Sequence, residues 1–160
     1  MKMPYTLKAF NFFSDGDAWK GLVDEIELPK IKKKIEDHQG AGMVAPAPMS
    51  LGYEALEMAI TLGGVEAAAI GFATGVGVAS VVGRFSGAYQ RDDTCAVSAV
   101  DIYVRGTATE LDPGTAKQGE KNKVKLSLKL SYIRFVMDGA VLAEVDALNT
   151  SDSAIAAAIN

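Results

Sequence analysis

Val124-Lys125-Leu126-Ser127-Leu128-Lys129-Leu130-Ser131-Tyr132-Ile133-Arg134-Phe135-Val136-Met137 is the stretch that decides the fold. Val124, Leu126, Leu128, Leu130 and Tyr132 alternate with Lys125, Ser127, Lys129 and Ser131. A period of two belongs to a strand with one face buried and the other wet. After Tyr132 the apolar set moves to Ile133, Phe135 and Met137. A one-residue slip sends side chains to the opposite face, so a β-bulge or twist is expected near Tyr132. Asp138-Gly139 then reads as a hairpin turn, and Val141 to Val145 as the returning strand.

Outward from this hairpin the pattern stays strand-like. Leu7 to Phe13 reads as a first strand, followed by the turn Ser14-Asp15-Gly16-Asp17. Leu22, Ile26 and Leu28 share one face of a second strand, with Val23, Glu25 and Glu27 on the other; Pro29 restricts it to an edge or an end. Ile31 to Asp37 reads as a charged, extended arm, and His38 to Ser50 as a long loop rich in Gly, Ala and Pro. Leu56, Met58, Ile60 and Leu62 alternate with Ala55, Glu57, Ala59 and Thr61 in a half-buried strand. Val65 to Thr74 is the one good helix candidate, ended by Gly75 and Gly77. Val81 to Gln90 and Ala96 to Arg105 read as strands joined by Arg91-Asp92-Asp93-Thr94. A second loop runs from Glu110 to Lys121, and the tail Thr150 to Asn160 reads as a short helix or a frayed end.

Composition bounds the function. The 160 residues make one domain, with 49% hydrophobic and 22% charged residues, as in folded soluble proteins. A net charge of −4 argues against a basic nucleic-acid-binding module. Cys95 is the single cysteine, so no internal disulfide can form, which suits the cytoplasm. Phe10, Phe12 and Phe13 are interleaved with polar residues where a secretory leader would need an apolar run, so no signal peptide is expected. Ala59 to Val82 carries only Glu66 as a charge, but Gly63, Gly64, Gly71, Gly75 and Gly77 interrupt it, and no membrane span is expected.

No catalytic set emerges. His38 sits between Asp37 and Gln39 without a partner nucleophile, and reads as a solvated loop residue. Cys95 reads as a packing residue. Gly75-Val76-Gly77 with Gly83 lacks the dinucleotide spacing and follows a helix pattern. Asp92 and Asp93 lack further ligands at calcium-loop spacing. The expectation is a chain that is not an enzyme and that takes no metal or cofactor.

Two further strings, Gly40-Ala41-Gly42-Met43 and Gly87-Ala88-Tyr89-Gln90-Arg91-Asp92-Asp93, suit close backbone approach and subunit contact. With them come Leu28-Pro29-Lys30-Ile31, Val104-Arg105-Gly106, Glu110-Leu111-Asp112-Pro113-Gly114, Lys117-Gln118-Gly119-Glu120, Tyr132-Ile133-Arg134-Phe135, Met137-Asp138-Gly139 and Glu144-Val145-Asp146 with Asn149. In this order the chain resembles the major tail tube proteins of contractile-tailed bacteriophages, shared with R-type tailocins. The resemblance spans residues 5 to 149 and is plainest outside Val65 to Val82. The tail at 150–160 is short for the family.

The resemblance implies a mainly β domain of two packed antiparallel sheets, sandwich- or barrel-like, with one flanking α-helix and a long extended loop at 31–50. It implies a homo-oligomer: hexameric rings stacked into a tube that forms the inner conduit of a virion tail or phage-tail-like particle, assembled in the host cytoplasm. Its implied partners are the tail sheath protein, baseplate and tail terminator proteins, a tape measure protein in the lumen, and DNA in transit in a phage. A tube of a type VI-like or other contractile injection system is the alternative. With about four strands from each of six subunits, spaced about 4.8 Å and tilted about 40°, the wall would be about 48 Å across.

On that reading Lys32, Lys33, Lys34, His38, Gly40, Gly42, Met43, Pro46, Arg91, Asp92 and Asp93 are expected at ring-stacking or inter-subunit contacts. Glu57, Thr61, Arg84, Ser86, Ser98, Lys125, Ser127 and Lys129 are expected to face the lumen. Glu66, with Asp15 and Asp17, is expected to face the sheath.

Overall fold

The computed structural model describes residues 1–14, 16–78 and 80–148. Asp15, Asn149 and the tail at 150–160 lie outside the described residues.

The chain order is β1 (Thr6–Ser14), β2 (Asp17–Ala18), β3 (Val23–Glu27), β4 (Lys33–His38), β5 (Ala47–Tyr53), β6 (Leu56–Leu62), α1 (Ala67–Ala73), β7 (Val81–Gln90), β8 (Val97–Asp112), β9 (Val124–Met137) and β10 (Ala140–Asp146). Eight strands form one antiparallel sheet in the order β2-β1-β7-β8-β9-β6-β3, with β10 also paired to β9; β4 and β5 form a separate hairpin. The resemblance implies two packed sheets, whereas the described strands make one sheet curled over a single core, a half-barrel.

The long strands β8 and β9 produce the curl. β9 pairs with β8 on one side; on the other it pairs with β6 through Leu130 and with β10 from Tyr132 onward. The register shifts where Arg105 opposes Tyr132 and Gly106 opposes Leu130, leaving Ser131 unopposed. This is the bulge that the change of apolar phase at Tyr132 predicts, and a bulge bends its strand and increases its twist. A second shift falls between Ala108 and Glu110. Asp138 and Gly139 both take positive φ, 49° and 83°, as a two-residue hairpin turn requires.

Inward side chains from both ends of the sheet meet in one cluster that includes Phe12, Ile60, Leu62, Phe85, Ile102, Leu126, Leu128 and Ile133. Trp19 caps the cluster, edge-on to Phe12 and stacked on Phe72 of α1, each at 5.4 Å between ring centroids. That stack ties the short helix to the core. Among the described residues no helix is long and apolar enough to cross a membrane.

Several expected boundaries move. The arm and loop at 31–50 are mostly strand: β4 and β5 leave only residues 39–46 as the connecting loop. Proline and glycine in β5 masked the pattern, and both are tolerated because the hairpin has free edges. β8 continues seven residues past Arg105 to Asp112, into the expected second loop. The helix is shorter than Val65 to Thr74, with Glu66 at its N-cap.

Candidate functional site

The sheet face turned away from the core carries two polar regions, one at each end of β8 and β9. In the first, Glu57 opposes Lys129, Ala59 opposes Ser127, and Thr61 opposes Lys125. On one flank Glu25 opposes Thr61 and Glu27 opposes Ala59; on the other Glu110 opposes Ser127 and Asp112 opposes Lys125. This surface is built by β3, β6, the first half of β9 and the last third of β8. It carries five carboxylates against two lysines. Glu57, Thr61, Lys125, Ser127 and Lys129, five of the eight residues expected to face a lumen, therefore share one surface. Glu25 and Glu27 were legible as a strand's polar face, whereas Glu110 and Asp112 fell in an expected loop.

The second region holds Arg84 and Ser86, which oppose Phe13 and Asn11 on β1 and Tyr103 and Asp101 on β8. Tyr103 opposes Arg134 of β9, which opposes Glu144 of β10. Lys125 and Arg134 are nine positions apart along β9, about 30 Å of strand, with the bulge between them. Arg84 and Ser86 thus belong to a different part of the sheet from Lys125 and Lys129. Ser98 belongs to neither surface. It lies on the core side, 4% exposed, and its Oγ donates to Asp138 Oδ2 at 3.0 Å.

The β4–β5 hairpin is an arm that no other strand pairs. The Glu54 N–H donates to the Lys32 carbonyl at 2.7 Å, and the Lys32 ammonium lies 3.3 Å from Glu54 Oε2, so the base of the arm is closed. Lys33 opposes Tyr53 and His38 opposes Ala47; Lys34 lies beside the register shift. His38 is therefore a strand residue, where the sequence reading made it part of a loop. At the tip Gly42 has φ 85°, and the Met43 N–H donates to the Gly40 carbonyl at 3.2 Å. Pro46 leads into β5. Ile35, Val44, Met49, Leu51 and Tyr53 are exposed along the arm.

The β7–β8 turn is used within the chain. Arg91 pairs with Asp93 at 3.1 Å, Asp92 pairs with Lys8 at 3.0 Å, and the Met3 N–H donates to Asp93 Oδ2 at 3.3 Å. The Met3 N–H, helped by Arg91, holds the Asp93 carboxyl below the usual carboxylate range. Arg91 also lies over the Tyr5 ring at 5.5 Å. These groups clasp the N-terminal segment. Of the residues expected toward a sheath, Glu66 is half-buried at the N-cap without a side-chain cap bond, Asp17 is exposed in β2, and Asp15 lies outside the described residues. Among the described residues no group of three or more His, Cys, Asp or Glu is placed to hold a metal ion.

A sheet with open edges, a free-standing arm and two polar outer faces is built for assembly. The family model described as phage tail tube protein FII matches residues 4–152. The chain belongs to the phage tail tube protein FII family. As a tail tube protein it is a structural component of a phage tail or phage-tail-like particle. It is 41% identical over 152 residues to the tail tube protein of Escherichia phage P2, covering 93% of this chain and 88% of that one. It is 33% identical over 151 residues to the major tail tube protein of Serratia phage KSP20, covering 93% and 86%. The tube fold also matches a chain of the sheath-tube complex of the extracellular contractile injection system PVC in its extended state. That TM-score is 0.59 at 11% identity, over 84% of this chain and 90% of the other.

Proposed function

We propose that six copies form a ring, that rings stack through the arm, and that the tube wall facing the lumen is the β3–β6–β9–β8 surface. The observation that carries this reading is the free-standing β4–β5 hairpin, which prolongs the β3–β6 pair beyond the domain with exposed apolar side chains at Ile35, Met49 and Leu51. Those side chains gain by burial against the next ring. The unpaired edges of β3 and β10 gain partners when neighbours join their sheets. A head-to-tail contact closes the ring, while stacking continues along the axis. Within the ring the two halves of the curled sheet serve as two packed layers, an inner wall and an outer shell.

The inner surface has four strands per subunit, so six subunits supply a barrel of about 24 strands, wide enough for a duplex. Its excess of carboxylates repels phosphate, which lets DNA or a tape measure protein pass without the grip that a basic wall would exert. Sheath, baseplate and terminator proteins complete the tail. A tube of a contractile injection system is the second reading, in keeping with the shared fold of a chain in an injection-system sheath-tube complex.

Ser127→Cys tests the wall. In a Cys95→Ser background, a bulky thiol reagent should modify position 127 much more slowly in intact tubes than in monomers. Equal rates would rule this surface out of the lumen.

A further inference from the structure

Three of the four arginines of the chain lie on the non-core face of the β1–β7–β8–β9–β10 half, each with its guanidinium over an aromatic ring. Arg84 lies over Phe13 at 4.5 Å, Arg134 over Tyr103 at 4.4 Å, and Arg105 over Tyr132 at 4.3 Å from guanidinium carbon to ring centroid. Phe13, Arg84, Tyr103, Arg134 and Glu144 are successive cross-strand partners, so they form one row across five strands. No ion pair of 4 Å or less forms at any of the three among the described residues, whereas Arg91 pairs with Asp93. Glu144, opposite Arg134, instead accepts the Tyr132 hydroxyl at 3.0 Å. Nε of Arg134 is buried and has no hydrogen-bond partner. Beside the row an open hollow of about 500 Å³ is lined by Phe13, Gly16, Val82, Gly83, Arg84 and Tyr103.

We propose that this face is the outer docking surface of the assembled tube and that its occupant is a carboxylate-bearing segment of the sheath subunit. This rests on the wall assigned above: the outer faces of the two halves of a sheet curled over one core point in opposite directions. With β3–β6 toward the lumen, the arginine row faces outward. Each guanidinium is held over a ring and none is taken up by an ion pair among the described residues, so each keeps N–H donors for a carboxylate, which a guanidinium binds in a two-pronged contact. Stacking holds the side chains in place beforehand, so little further ordering is needed on binding. The hollow beside Arg84 gives room for an apolar side chain next to the carboxylate. DNA is disfavoured as the occupant because it travels on the other side of the wall. A second copy is disfavoured because the row lies on a strand face and not at an open edge.

The test is co-expression of the full chain with the sheath protein of the same tail, scored by electron microscopy. Arg84→Gln/Arg134→Gln should give bare tubes of normal length, with the sheathed fraction reduced at least tenfold. Arg84→Lys/Arg134→Lys should restore little, because an ammonium keeps the charge but not the fork. Unchanged sheathing would overturn the proposal. Folded variant protein that forms no tubes would place the row between copies and overturn it too. Duplex DNA retained on wild-type tubes but lost from the variant would identify nucleic acid as the occupant and do the same. Orientation has its own readout: Ser86→Cys in the Cys95→Ser background should label rapidly in bare tubes. Slow labelling at 86 with fast labelling at 127 would mean the wall assignment is reversed, a failure distinct from loss of sheath binding.

Discussion

Gly106→Ala is expected to loosen the bend that joins the two halves of the sheet. Gly106 opposes Leu130 beside the unopposed Ser131. A Cβ at this position would collide with the Lys129 carbonyl oxygen and lie 2.8 Å from Leu130 Cα and 3.0 Å from Leu130 Cδ2. The backbone there is not left-handed, so alanine suffers no torsional penalty and the cost is steric. The oxygen and Cα belong to the paired strand and cannot rotate away. Relief requires β8 and β9 to part at the bend, with strain in the ladder on both sides. Overpacking of a tight site costs about 1–3 kcal/mol, and rigid neighbours put this one at about 3. With a urea slope of about 2 kcal/mol/M, the unfolding midpoint should fall by about 1.5 M. Urea unfolding of dilute, unassembled protein, followed by circular dichroism, measures this directly. Gly71→Ala in α1, where nothing lies within 4 Å of the added carbon, is the control and should be neutral or stabilising by about 0.5–1 kcal/mol. A midpoint shift for Gly106→Ala no larger than about 0.3 M would refute the claim that close approach at the bulge sets the bend.

Deleting residues 39–46 and rejoining β4 to β5 with a two-residue turn should leave a folded, soluble subunit that forms no long tubes; normal tubes would show that the arm tip is dispensable for stacking. The Asp93 carboxyl is held below its ordinary value, so its contribution to the N-terminal clasp is present above the usual carboxylate range and lost as pH falls through the lowered value. In an NMR titration the Met3 amide shift should move below about pH 3.9, and Asp93→Asn should abolish that movement. A transition at or above that value would contradict the clasp.

Much of the fold was legible because its strands are half-buried and alternate. Val81 to Gln90 is a strand over those very residues, and the slip at Tyr132 marks the bulge that curls the sheet. The extent of β8 was hidden because Thr107 to Asp112 pair at an end where the wet face is acidic and the inward residues are small or interrupted by a second bulge. Pro48 and Gly52 hid β5 in the same way: on a strand paired along one edge they are tolerated, but they read as loop. Sequence alternation says which residues share a face, not which faces share a direction. That is why Arg84 and Lys125 looked equivalent until the bend in β9 separated them, and why Ser98, small and polar, was assigned to the wet side. The pairing of Arg91, Asp92 and Asp93 with the N-terminal segment is long-range and left no local signal.

The wall assignment is tested most directly by reconstructing, by electron cryomicroscopy, tubes assembled from the purified chain. The account predicts stacked six-fold rings, with Lys125, Lys129, Glu57 and Glu110 lining a lumen roughly 40 Å wide, the β4–β5 arm reaching the adjacent ring, and Arg84 and Arg134 on the outside. A tube whose lumen is lined by β7, with Arg84 and Tyr103 facing inward, would contradict it.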